Sequence, residues 1–137
     1  MTEANNKFDL DLKDGMIAEK QMLRLLGTCK IEVKNDYFLD KTGNIAIEYR
    51  CWGKPSGISV TEADWYAIFL GNAKAEICVL IKVEALKALA RTFFKNGSVK
   101  KGGDQDQSEF ILVPWSEIIK LSNYGEESKR WKEHRQE

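Results

Sequence analysis

From Gly15 to Leu26 the apolar residues Met16, Met22, Leu23 and Leu26 recur at the three- and four-residue spacing of one helical face. Asp14 stands ahead of that run as a capping residue and Gly27 behind it as a stop. The period then changes. Cys29, Ile31 and Val33 alternate with Lys30, Glu32 and Lys34, the two-residue repeat of a strand with one wet face. Ile45, Ile47 and Tyr49 repeat it after Lys41-Thr42-Gly43-Asn44, so the two segments are expected to pair as a hairpin. The loop Gly53-Lys54-Pro55-Ser56-Gly57 breaks the second strand, and Ser59 with Glu62 predicts a capping box opening a short helix. Two apolar runs, Trp65 to Leu70 and Glu76 to Ile81, flank Gly71-Asn72 and predict a second strand pair in the sheet interior. A helix from Val83 to Lys95 places Leu86, Leu89, Ala90 and Phe93 on one face and ends at Asn96-Gly97. Phe110 to Val113 is the last strand, Pro114 turns it, and Ser116 to Leu121 forms a short amphipathic helix.

The resulting order, α-β-β-(α)-β-β-α-β-α, describes an α/β (α+β) domain with a mixed central β-sheet flanked by helices. It spans residues 14–124, between a loose N-terminus, 1–13, and a charged C-terminal tail, 125–137. At 137 residues the chain is one domain with room for a real core. Residues 96–108, NGSVKKGGDQDQS, read better as a solvated surface loop than as a phosphate-contacting one, despite Lys95, Lys100 and Lys101. In the tail, Arg130, Lys132 and Arg135 flank Trp131 as a nucleic-acid-stacking arm would. Its four acids favour an exposed helix that docks Trp131 on the body. His134, the only histidine, lies in that tail and is a poor general base.

Composition narrows the chemistry. Lys and Arg total 21 and Asp and Glu total 21, so no global field draws the protein to nucleic acid or to an anionic membrane, and any such binding needs a local patch. Cys29, Cys51 and Cys78 are odd in number and widely spaced within apolar runs, which predicts buried reduced thiols in a cytoplasmic protein rather than disulfides or zinc. The polar, acidic start has no signal-peptide pattern, and no apolar run approaches a membrane span. P-loop, GxGxxG, CxxC and nucleophile-elbow motifs are missing.

What remains is a group of three acids and two bases within 36 residues: Glu19, Asp36, Glu48, Arg50 and Lys54. Glu19 falls inside the apolar stripe of the first helix, where a carboxylate needs a cation, a metal or several donors. Pairing with Lys20, Lys34 or Arg50 at the core edge, or snorkelling out to solvent, would also satisfy it. Asp36 closes one strand, and Glu48 and Arg50, two apart on the next, leave the same face of a pleated strand.

A helix with Glu, a strand ending in Asp and a strand with Glu resembles the PD-(D/E)XK nuclease superfamily. The wording TGNIAIEYRCWGKPSGISVTEADWY is similar to its small phage-type members, with a TGN turn before the Glu strand and a KPSGI loop after it. The resemblance covers about residues 15 to 82 and implies a restriction-endonuclease-like fold. By it, Asp36 and Glu48 are metal ligands and Glu19 supports the metal, directly or through water. Three departures stand out: no Pro precedes Asp36, Asp40 competes with it, and Arg50 occupies the family's Lys position. Arginine clamps a phosphate oxygen but cannot act as a base. Lys54 would take the lysine role if its loop folds back over the site.

An all-oxygen ligand set suits Mg²⁺ or Mn²⁺ rather than zinc. The expectation is thus a Mg²⁺- or Mn²⁺-dependent endonuclease that hydrolyses phosphodiester bonds in DNA, phage-encoded and working in the host cytoplasm. Its partner would be DNA, with no membrane and with a homodimer as an admissible assembly. The alternative is a catalytically inactive module on the same scaffold that binds DNA or a host protein.

Overall fold

The computed structural model describes residues 3–71 and 75–123. Helix α1 (Glu3–Thr28) opens the chain, so residues 3–13, expected to be loose, are helical and Asp14 lies inside the helix rather than at its start. Strand β1 (Ile31–Asp36) follows, then a single helical turn, α2 (Leu39–Thr42), which ends on Gly43 at φ 72° with the Gly43 N–H donating to the Leu39 carbonyl. A left-handed cap of that kind suits glycine because it has no Cβ. Strands β2 (Asn44–Cys51) and β3 (Lys54–Pro55) form a tight ribbon. A 3₁₀ turn, Gly57–Ser59, leads to β4 (Trp65–Leu70) and β5 (Cys78–Lys82). Helix α3 (Val83–Lys95), β6 (Val99–Gly102), β7 (Ser108–Pro114), α4 (Trp115–Ile119) and a 3₁₀ turn, Lys120–Asn123, complete the described chain. The tail residues Trp131 and His134 lie outside the described residues.

The architecture is mixed α+β, with four helices and two sheets among the described residues instead of one central sheet. One sheet has the order β1-β4-β5, with β1 parallel to β4 and β4 antiparallel to β5. The other, β3-β2-β7-β6, is antiparallel throughout. The expected β1–β2 hairpin does not form. Helical turn α2 occupies the connection, carries the chain out of the first sheet, and leaves β2 to pair with β7, Ile45 opposite Val113 and Ile47 opposite Ile111.

The core lies between α3 and the sheets. Val83, Leu86 and Ala90 of α3 are buried in one cluster with Ile45 and Ile47 of β2, Tyr66 and Ile68 of β4, and Ile111 and Val113 of β7. Two shorter elements differ from expectation. Ser59 does not open a capping box; its hydroxyl donates to the Tyr49 carbonyl at 2.8 Å, which folds the 57–59 turn back onto β2. The polar segment 96–108 contains β6, whose exposed side chains hide a paired backbone at the sheet edge. The three thiols are free, but none is buried as expected: Cys29 and Cys51 are half-buried and Cys78 is exposed. Among the described residues no helix is long and apolar enough to cross a membrane.

Candidate functional site

Alternation along β1 puts Glu32, Lys34 and Asp36 on one face, and their register partners on β4 are Tyr66, Ile68 and Leu70. Tyr66 and Ile68 are core residues, so the polar face of β1 turns inward, while Val33 on the other face is 59% exposed. This inverts the expected orientation. The alternation is real, but the side that faces in is set by β4, to which β1 pairs, and the inward polar groups satisfy one another. Lys34 Nζ lies 3.0 Å from Glu32 Oε1, and the Thr61 hydroxyl donates to Glu32 Oε2 at 2.6 Å. Burial pushes the Glu32 carboxyl up, but the bonds from Thr61 and Lys34 outweigh it and hold the group below its ordinary range.

Asp36, at the end of β1, is buried. One carboxylate oxygen accepts the backbone N–H groups of Phe38 at 3.1 Å and Leu39 at 3.0 Å, which starts α2; the other accepts the Ala46 N–H at 3.0 Å. A single side chain therefore caps α2 and stitches β1 to β2 across the gap between the sheets. Ala46 is two residues from Glu48. Lys34, Asp36, Ala46, Glu48, Gly57 and Tyr66 line one cleft of about 190 Å³. Among the described residues no hydrogen bond or ion pair engages the Glu48 side chain. The buried Tyr66 hydroxyl has no well-aligned hydrogen-bond partner. Burial, followed by the charge of Glu32, pushes its pKa up to about 12, so it stays a neutral hydroxyl enclosed behind the cleft wall beside Glu32 and Thr61.

The KPSGI wording has a structural reason. Gly57 sits at φ +52° against the Glu48 backbone, and a Cβ there would collide with the Glu48 carbonyl and stand 3.1 Å from the Glu48 Cβ. The Ser56 N–H donates to the Tyr49 carbonyl, closing the loop over β2. Gly57→Ala is expected to destabilise the fold by about 2 kcal/mol or more, from left-handed strain plus the collision. Urea denaturation checks this, and an unchanged midpoint would show that the loop does not pack on Glu48.

The other sequence-expected residues fall elsewhere. A bulge at Tyr49, where the β2–β7 register shifts between Glu48 and Arg50, breaks the alternation that was to put those two side chains together. Arg50 lies 3.8 Å from Glu109, near the Tyr49 ring, and lines a different cavity of about 390 Å³ with Lys87 and Arg91 of α3. Lys54 is exposed, pairs opposite Cys51 and lines no part of the cleft. Glu19 is exposed on α1, where residues 11–24 are all exposed, and does not reach the cleft either. The structure therefore brings together Asp36 and Glu48 and leaves out Glu19, Arg50 and Lys54. Glu32, Lys34 and Tyr66 join the site without having been singled out. Glu32-Val33-Lys34 has the acid-x-lysine spacing that was sought at Glu48-x-Arg50, one strand earlier, and that spacing was the available signal.

Among the described residues no three His, Cys, Asp or Glu side chains stand together as a metal cage. Mg²⁺ does not require one, since it keeps several waters and takes one or two carboxylates plus substrate phosphate. Glu48, an unengaged carboxylate in a polar cleft, fits that mode. Asp36 has already committed most of its lone pairs to three N–H donors.

A second hollow of about 500 Å³ shares Asn35, Asp36, Ala46 and Phe110 with the cleft and continues past Tyr37, Phe38, Lys100 and Lys101. Tyr37 and Phe38 are more than half exposed. No family model, curated protein or solved structure matches the chain.

Proposed function

We propose that the protein is a divalent-metal-dependent endonuclease-like hydrolase of DNA phosphodiester bonds, of the phage type, on a restriction-endonuclease-like scaffold split into two sheets. The observation that carries this reading is the convergence of Lys34, Asp36 and Glu48 on one cleft between the sheets, with Glu32 holding Lys34. Glu48 would hold Mg²⁺ or Mn²⁺, which when bound supplies charge relief at the phosphate and an activated water. Lys34 directs its ammonium toward a non-bridging oxygen, and Glu32 fixes that ammonium. Asp36 sets the spacing of β1 and β2, and the Tyr66 ring forms part of the wall beside them. The adjoining hollow gives DNA a path, with bases against Tyr37 and Phe38 and phosphates near Lys100 and Lys101.

The second reading is a non-catalytic module that binds DNA or a host protein. It is favoured by the commitment of the Asp36 carboxylate to backbone donors. Incubation of supercoiled plasmid and branched DNA with Mg²⁺, Mn²⁺ or chelator separates the two. Metal-dependent nicking supports the hydrolase. DNA binding without nicking under either metal supports the module, and neither binding nor nicking removes DNA from both readings.

A further inference from the structure

Helix α3 sends Val83, Leu86 and Ala90 into the core, and beside them runs a second stripe: Lys87, then Arg91 four residues on, then Phe94 three further. Like charges one helical turn apart repel each other. Among the described residues no carboxylate pairs with Lys87 or Arg91, and Glu84, the only acid in α3, forms no ion pair. Arg50 of β2 joins these two cations around one hollow of about 390 Å³, a size that suits a small ligand. Among the described residues no acid lines it.

Arg50 is positioned but not used up. Its guanidinium lies over the Tyr49 ring at 5.8 Å, which steadies it. Glu109 stands 3.8 Å from its Nε, close enough to offset the charge but beyond hydrogen-bond length. The floor of the hollow is apolar, from the buried residues Ile58, Ala90 and Ile111. Phe94 meets Tyr49 edge to face with ring centroids 5.2 Å apart, yet is 48% exposed, so ring surface remains open on the wall.

These features select a ligand. With Glu109 offsetting one of the three cations, two remain uncompensated. A carboxylate or a phosphodiester carries a single charge and would leave one cation unmatched. A phosphate monoester carries about two near pH 7 and offers three oxygens to the guanidinium and ammonium donors. The open ring and apolar floor call for a flat, largely apolar group on the same molecule, as a nucleobase is.

We infer that this hollow binds a nucleotide by its terminal phosphate monoester, with the phosphate on Arg50, Lys87 and Arg91 and the base against Phe94. The ligand is a free mononucleotide or the 5′-phosphate end of a strand, which present the same chemistry. The inference does not depend on the nuclease reading. The hollow shares no lining residue with the cleft, and supercoiled plasmid carries no phosphate end to engage it.

Calorimetric titration of the full chain with deoxyadenosine 5′-monophosphate, in chelator so that no metal occupies the cleft, tests it. A Kd below about 1 mM is expected, at least about tenfold tighter than for deoxyadenosine or inorganic phosphate. Lys87→Gln and Arg91→Gln should each weaken binding by about tenfold with a thermal midpoint no lower than wild type, since each also relieves like-charge repulsion. Phe94→Ala should weaken the nucleotide by about tenfold and leave inorganic phosphate unchanged. Displacement of the nucleotide by a short oligonucleotide with a 5′-phosphate, but not by the same strand with a 5′-hydroxyl, assigns the site to strand ends; displacement by neither assigns it to free nucleotides. No binding at about 1 mM, binding indifferent to both Lys87→Gln and Arg91→Gln, or equal displacement by the two oligonucleotides would each overturn the inference.

Discussion

Asp36→Ala is expected to lower unfolding stability by about 3–5 kcal/mol, because it leaves the N–H groups of Phe38, Leu39 and Ala46 without their shared acceptor in a buried setting. Two of those bonds start α2 and the third ties β1 to β2, so the loss falls where the sheets meet. Asp36→Asn should lie between. Its amide oxygen can serve Phe38 and Leu39, but its NH₂ then faces the Ala46 N–H, donor against donor. Denaturant titration of all three proteins with a common slope gives the ranking. If Asp36→Ala stays within about 0.5 kcal/mol of wild type, the carboxylate does not hold the fold and is available for a metal after all.

That ranking departs from the motif reading, in which Asp36 is a ligand. Sequence pattern placed Asp36 at the end of a strand and the resemblance made it a ligand, but metal binding and capping call for the same residue type. What decides between them is the position of three backbone donors, one of them ten residues away at Ala46. Elements built from local pattern were legible. Helix α3 runs from Val83 to Lys95 as its periodicity predicts, and β4 and β5 pair about Gly71. Partners distant in sequence were not. Ile45 faces Val113, and a two-residue period states which side chains share a face without stating which strand lies beside it or which face is inward.

The same limit explains the site. Glu48 was found because the acid sits in a strand with distinctive flanking wording. Lys34 was passed over because β1 was expected to show its charged face to water, whereas pairing with β4 turns that face toward Tyr66. Arg50 and Lys54 were chosen from spacing along the chain, and one bulge at Tyr49 was enough to send Arg50 to another cavity. On α1 the periodicity correctly marks a stripe. The step from stripe to buried core failed there because the described fold offers that face no neighbour.

Activity variants should therefore rank by the cleft and not by the chain spacing. Glu48→Gln is expected to reduce metal-dependent cleavage by about 10²–10³-fold, since the amide keeps the shape but loses the charge that would hold the metal. Stability should change little, because among the described residues the Glu48 side chain has no bond to lose. Lys34→Ala should cut kcat by roughly 10–100-fold with a smaller effect on KM, as expected when a charge acts mainly on the transition state. It also frees Glu32 from its ion pair, so Lys34→Met, similar in length and uncharged, separates loss of charge from loss of packing. Arg50→Ala and Lys54→Ala should stay within about threefold of wild type, Arg50 because it turns to Glu109 and the α3 cavity, Lys54 because it is exposed opposite Cys51. Steady-state nicking of supercoiled plasmid over a range of DNA concentrations at saturating Mn²⁺ reads all five. Full activity in Glu48→Gln would remove the cleft from the mechanism, and a collapse in Lys54→Ala with Lys34→Ala unaffected would return the lysine role to the β2–β3 loop.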